Sequence, residues 1–290
     1  MSSRAPLLSL PIHQALCRAR DRGLPQLECS MDLGRSSVTV EIGADTWGLG
    51  GQRYPYPEKC KDRTLYHWDA EAGRFAPVSR YGDALIKLVP TEWGAPTFEI
   101  DGIKMLPTAR VSPYEDARRK VELIQPRGKR ILDTCGGLGY FAACCLDGGA
   151  LRIDSFEKNA DVIWLRTLNP WSPDHRDPQA TQGRLHLTHG DVAECIAELP
   201  DAAYDAALHD PPRFGIAGEL YSQAFYDQLA RVLKPHARLF HYTGTPNKLT
   251  SGRDVPREVS ARLQRAGFST EVIGDGVLAI RNRQRPSHRP

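Results

Sequence analysis

The chain has 290 residues, 41% of them hydrophobic and 25% charged, enough to bury the core of one large domain or one and a half. A formal net charge of +3 and an isoelectric point near 8.4 are too mild to argue for nucleic acid. Seven cysteines (Cys17, Cys29, Cys60, Cys135, Cys144, Cys145 and Cys195) form no C-x-x-C pair and meet no clustered histidines, which argues against a disulfide frame or a zinc site, so no metal is expected.

Residues 1–26 read as an N-terminal helical segment, because Ile12, Ala15, Leu16 and Ala19 recur at helical spacing before Gly23-Leu24-Pro25 ends them. The stretch from Leu7 to Ile12 is too short and too proline-broken for a signal-peptide core, and no apolar run reaches the roughly 20 residues of a membrane helix. A cytoplasmic protein that does not enter the membrane is expected. From Ser37 the pattern turns to alternation, Val38, Val40 and Ile42 against Thr39 and Glu41, with a further strand over residues 65–68. Residues 27–110 therefore read as a β-rich N-terminal module. Its Trp47, Tyr54, Tyr56, Tyr66, Trp68 and Trp93 either line a substrate surface or fill a thin core; core is favoured, since a small sheet has few other ways to bury area. Ala95 to Ile103 has the form strand, Asp-Gly turn, strand. A helix then runs from Ser112-Pro113 to about residue 125, with Ser as cap and Pro in its first turn, and its Arg118, Arg119 and Lys120 are expected to form a solvated face.

Residues 111–282 alternate as βαβ units do. Strands are expected at residues 130–133, 152–157, 185–188, 203–209, 238–243, 269–273 and 277–281, most of them separated by helical segments. That predicts an α/β fold: a Rossmann-like, seven-stranded, mostly parallel sheet. The last two strands are separated only by Gly274-Asp275-Gly276 and should form a terminal antiparallel hairpin. Residues 283–290 read as a polar tail.

Chemistry concentrates in this second region. An apolar strand ends in Asp133 and runs through Thr134-Cys135-Gly136-Gly137-Leu138-Gly139 into a helix beginning at Tyr140. Gly137 and Gly139 allow a sharp turn against which a ligand can lie, while the helix start offers unpaired N–H groups. Three more carboxylates fall at strand ends: Glu157, Asp191 in Gly190-Asp191, and Asp210 in His209-Asp210-Pro211-Pro212. A carboxylate some 20 residues past a glycine turn suits a ribose diol, which is the role of Glu157; Asp191 can accept from the amine of an adenine. The turn lacks the G-x-G-x-x-G spacing of a dinucleotide site. Asp210-Pro211-Pro212 is the expected catalytic loop, stiffened by its prolines and carrying a carboxylate able to orient or deprotonate a nucleophile. His209 and His241 end neighbouring strands; each is read either as a base facing the crevice or as a satisfied structural histidine. Tyr221 and Tyr242 are further candidates.

Taken in order, Leu132-Asp133-Thr134-Cys135-Gly136-Gly137-Leu138-Gly139, Glu157, Gly190-Asp191 and Asp210-Pro211-Pro212 resemble the motifs of class I S-adenosylmethionine-dependent methyltransferases over about residues 120–282. Asp133-Thr134-Cys135, Leu138-Gly139-Tyr140, Asn169-Pro170-Trp171 and His209-Asp210-Pro211-Pro212-Arg213-Phe214 with Ala217-Gly218-Glu219-Leu220-Tyr221 are similar to an uncharacterised group of predicted methyltransferases known largely from archaea. The resemblance implies S-adenosyl-L-methionine as cofactor. Asp133 and the Gly137–Gly139 turn would face its methionine part, Glu157 its ribose and Asp191 its adenine, with Cys135, Tyr140, Lys158 and Asp210 also among its contacts. Cys135 departs from the family turn, which has its first glycine there. Arg213, Phe214, Tyr221 and His241 would contact the acceptor, a nitrogen or other polar nucleophile. A small-molecule acceptor is favoured because no basic stripe is present; RNA and protein acceptors stay open, as does the oligomeric state.

Ile100-Asp101-Gly102-Ile103, Asp210 and Ala217-Gly218-Glu219-Leu220 followed by Phe225-Tyr226 also look similar to spermidine synthases, which share the sheet. Aminopropyl or 3-amino-3-carboxypropyl transfer is thus an alternative, although Arg213 stands where those enzymes place a second carboxylate. A non-catalytic cofactor-binding scaffold is the other.

Overall fold

The computed structural model describes residues 5–212, 217–244 and 254–283. Backbone packing divides the chain into two units: Met1–Asp116 with Trp164–Ser172, and Ala117–Ile163 with Pro173–Pro290.

The first unit holds β1 (Leu7–Leu8), α1 (Leu10–Asp21), β2 (Gln26–Cys29), β3 (Val38–Ile42), β4 (Thr46–Leu49), β5 (Gln52–Pro55), β6 (Tyr66–Asp69), β7 (Arg74–Pro77), β8 (Ser79–Tyr81), β9 (Leu85–Val89), β10 (Thr97–Ile100) and β11 (Ile103–Lys104). They build three antiparallel sheets, in the orders β1-β6-β7, β2-β3-β4-β5 and β11-β10-β9-β8. The helix is shorter than the expected 1–26 segment. Pro11 occupies its first turn, where a missing N–H costs nothing, and Leu7 and Leu8 are instead buried in a strand paired with β6. Trp47, Tyr54 and Tyr66 are buried, with Tyr56, Trp68 and Phe75 packed against them, so the aromatics of these sheets do serve a thin core; Trp93 lies outside it, exposed. The Asp-Gly turn between β10 and β11 forms, with both Asp101 (φ 48) and Gly102 (φ 78) left-handed as a tight hairpin requires.

Helix α2 (Pro113–Ile124) begins where expected, the Ser112 hydroxyl accepting from the Tyr114 N–H. One expectation for this helix fails. Arg118 and Arg119 are exposed, but Lys120 is 1% exposed, because helical spacing sets it on the same stripe as the buried Ala117, Val121 and Ile124.

The second unit continues through β12 (Arg130–Asp133), α3 (Tyr140–Asp147), β13 (Arg152–Glu157), α4 (Ala160–Leu168), β14 (Leu185–His189), α5 (Val192–Cys195), β15 (Tyr204–His209), α6 (Gln223–Val232), β16 (Leu233–Tyr242), α7 (Val255–Arg265), β17 (Phe268–Ile273) and β18 (Gly276–Arg281). Helix α4 crosses the division, its last residues counting with the first unit. The strands form one seven-stranded sheet in the order β14-β13-β12-β15-β16-β18-β17. Its first five members run parallel, and β18 inserts antiparallel between β16 and β17. Central β15 buries Ala206, Ala207 and Leu208, whereas the edge strands β14 and β17 carry exposed residues along their length, as uncovered edges do. The sheet packs against the buried stripe of α6, Phe225, Tyr226 and Leu229, and that of α7, Val259 and Leu263. Among the described residues no helix is long and apolar enough to cross a membrane.

Candidate functional site

Strand order places β12 and β15 side by side, with the chain leaving β12 toward β13 on one flank. This reversal of winding is where α/β sheets open a crevice at the carboxyl ends of their strands. The register brings Asp133 opposite Ser155 and Leu208, and Glu157 opposite His189, so Asp133, Glu157 and the residue after His209, Asp210, all finish on that edge.

The glycine turn follows β12. The Gly136 N–H donates to the Phe156 carbonyl (2.7 Å) and the Gly139 N–H to the Gly136 carbonyl (2.7 Å), closing the loop against β13. Left-handed backbone falls on Gly137 (φ 48) and Gly139 (φ 79), the latter capping α3, and Cys135 is not among the positive-φ residues. A side chain at that position is therefore compatible with the turn.

Glu157 is tied to this loop. One carboxylate oxygen accepts from the Gly137 N–H (2.8 Å) and the other from the Asn159 N–H (2.9 Å). Its backbone carbonyl accepts from Gly190, which sets the start of the next loop. There Asp191 caps α5 by accepting from the Ala193 N–H (2.9 Å) and pairs with the exposed Lys158 (2.7 Å). Burial works against that carboxylate's charge, but the Lys158 and Ala193 hydrogen bonds outweigh it and hold the Asp191 pKa below the usual range. Asp133 is buried, 1% exposed, and accepts from the Ser155 hydroxyl (2.8 Å).

Cys135 lies in the turn between β12 and α3. Burial pushes its thiol well above the ordinary value, the Thr134 hydrogen bond opposes the rise, and the nearby carboxylates of Glu157, Asp133 and Asp210 add to it. Asp210 faces an unforeseen partner: Lys120 Nζ lies 3.7 Å from its Oδ2. Pro211 is buried and Pro212 exposed, and the Tyr221 hydroxyl, from a 3-10 turn over Gly218–Tyr221, donates to the Pro212 carbonyl (3.1 Å). Burial, then the charge of Asp210, raises the Tyr221 pKa, so that hydroxyl remains a donor. Tyr140 opens α3 with its side chain buried.

The histidines do not face the crevice. His209 is 1% and His241 0% exposed, stacked edge-on with ring centroids 4.4 Å apart. His209 Nε2 meets the Leu220 carbonyl (3.1 Å), which can only accept, so Nε2 carries the proton, and Nδ1 lies 2.7 Å from the Thr134 hydroxyl. By the same reasoning His241 donates from Nδ1 to the Tyr242 carbonyl (2.8 Å) and accepts at Nε2 from Tyr226 (2.9 Å). With both nitrogens of each ring engaged, the geometry accords with the reading of each as a satisfied structural histidine. Arg213 and Phe214 lie outside the described residues.

The strand order is that of a Rossmann-like α/β sheet with a terminal antiparallel hairpin. A family model for S-adenosyl-L-methionine-dependent methyltransferases matches residues 153–248. The chain is 43% identical over 201 residues to the uncharacterised protein MJ1233 of Methanocaldococcus jannaschii, covering 68% of this chain and 67% of that protein. It is 31% identical over 118 residues to polyamine aminopropyltransferase 2 of Streptomyces coelicolor, which spans 40% of this chain but 21% of that protein. A solved spermidine synthase, in complex with the transition-state analogue AdoDATO, superposes with a TM-score of 0.54 at 15% identity, covering 74% of this chain and 78% of that one, a likeness of fold alone. The chain thus belongs to the class I S-adenosyl-L-methionine-dependent methyltransferase superfamily, in one family with the uncharacterised M. jannaschii protein, and the cofactor of that superfamily is S-adenosyl-L-methionine.

Proposed function

We propose that the protein is a methyltransferase acting on a nitrogen or other polar nucleophile of a small-molecule acceptor in the cytoplasm. The observation that carries this reading is that Asp133, Glu157 and Asp210 stand at the carboxyl ends of neighbouring parallel strands, on one edge of the sheet. These residues fit the cofactor. Gly137 and Gly139 offer a backbone surface without side chains. Glu157 accepts from two N–H groups, and a carboxylate accepts at about four positions, as a diol requires. When bound, S-adenosyl-L-methionine supplies an electrophilic methyl group on a positively charged sulfur. Asp133 and the turn from Cys135 to Tyr140 would hold the methionine side, Glu157 the ribose, and Asp191 the adenine amine. Asp210, on a loop fixed by its prolines and by Tyr221, would orient the acceptor nitrogen and accept its proton.

A second reading, aminopropyl-type transfer, is favoured by the similarity to a polyamine aminopropyltransferase and by the spermidine synthase fold. Product analysis separates them: methyl transfer leaves S-adenosylhomocysteine, propyl-type transfer leaves methylthioadenosine. Calorimetry with S-adenosyl-L-methionine and with S-adenosylhomocysteine is expected to give heat with both; none with either would sink the enzyme reading and leave a scaffold. Asp210→Ala should retain cofactor binding within about fivefold while turnover falls by about 10²–10⁴. Full turnover in that variant would remove Asp210 from the chemistry.

A further inference from the structure

Lys120 is the feature of the site that the function above does not use. It is 1% exposed, and its ammonium lies 3.8 Å from the centroid of the Tyr242 ring and 5.7 Å from that of Phe141, with Asp210 Oδ2 at 3.7 Å. A buried ammonium must be compensated, and two ring faces with a carboxylate do so. Because the lysine stem lies on the buried stripe of α2 beside Ala117, Val121 and Ile124, the charge is held in place and cannot swing to solvent when a ligand arrives. The consequence falls on Asp210, which meets the acceptor already carrying a counter-charge.

We infer that Lys120 is a specificity-determining residue: by cancelling the charge of Asp210 it makes the site select an acceptor whose reacting nitrogen is neutral, such as an amide, imine or ring nitrogen, and reject aliphatic polyamine cations. A primary ammonium seeking Asp210 meets a fixed like charge a few ångströms away, a repulsion on the order of a hundredfold in affinity at the effective dielectric of such a site. A neutral nitrogen pays no such penalty and still finds a hydrogen-bond acceptor in Asp210. This inference rests on reading Asp210 as the acceptor-side carboxylate. The S-adenosylhomocysteine titration tests the cofactor site on its own, so failure there and failure here are told apart.

The test is calorimetric titration of the full chain with spermidine, at saturating S-adenosylhomocysteine and without it. Wild type and Lys120→Arg, which keeps the charge, are expected to bind spermidine at least about tenfold more weakly than Lys120→Met, and the gain should vanish in Lys120→Met/Asp210→Asn. A purely structural lysine would lower the stability of Lys120→Met without creating cation affinity that depends on Asp210. Equal spermidine affinity in wild type and Lys120→Met, or a gain that survives Asp210→Asn, overturns the proposal. Should Lys120→Met fail to fold, Lys120→Gln provides the same contrast, and submillimolar binding of spermidine by wild type is decisive against the proposal without any variant.

Discussion

Burial sets the chemistry of His241. Its pKa is lowered to about 4, chiefly by removal from water and against the small opposing effect of the Tyr242 carbonyl, and that of its neighbour His209 is lowered well below the ordinary value by burial and then by His241. Both are neutral in the fold and titrate near 6.5 once unfolded, so the unfolded chain binds more protons at mildly acid pH. The stability they contribute is complete above about pH 6.5 and is lost as pH falls toward 4, by about 3 kcal/mol for His241 alone. Denaturant melts at pH 7 and pH 4.5 should show this loss, and His241→Gln, although less stable at pH 7, should flatten the profile; an unchanged slope would mean that the ring is not the titrating group. The same scale shows what sequence can and cannot disclose. Asp133, Glu157 and Asp210 were legible because a strand end fixes them by backbone position alone. The engagement of His209 and His241 was not, since Thr134, Leu220 and Tyr226 reach them only through tertiary packing. Lys120 had one visible signal, its helical spacing with Ala117, Val121 and Ile124.

At the scale of elements, the start of α3 shows how little side chain the site needs. Gly139 caps that helix with φ 79 and ψ 20, and its carbonyl accepts from the Ala143 N–H (2.9 Å). An L side chain there costs about 1 kcal/mol in backbone strain. Gly139→Ala should lower stability by about that amount and weaken S-adenosylhomocysteine binding by more than tenfold; calorimetry and a thermal melt on one sample read both, and intact affinity would show that the turn does not meet the cofactor. The parallel strands β12 and β13 have the bounds expected from the sequence. Strand β16 was expected from residue 238 but begins at Leu233. Pro235 and the left-handed His236 (φ 67) interrupt its pattern, and the register shifts opposite Tyr204 and Ala206. The two-residue β1 was invisible because only its pairing with β6 makes it a strand.

Across the whole molecule, the seven strands of the large sheet and their terminal hairpin could be anticipated from the alternation of elements, whereas the three small antiparallel sheets could not, their pairings being set by contacts rather than by periodicity. The allotment of Trp164–Ser172 to the first unit was equally hidden. Trp171 donates its indole N–H to the Leu33 carbonyl (3.1 Å), Arg35 stacks over its ring, and Arg80 lies over Trp164 at 4.1 Å. Gly94 fits beneath the same indole, where an added Cβ would stand 2.6 Å from the Leu33 carbonyl and 3.3 Å from Trp171. A ribosome delivers this stretch only after β12, α3 and β13 have emerged, so the first unit waits for a late-arriving piece while the nascent chain grows. A fragment ending at Asp116 should therefore exchange its amide hydrogens around Leu33 and Gly94 faster than the full chain does; equal protection would show that the early residues close on themselves unaided.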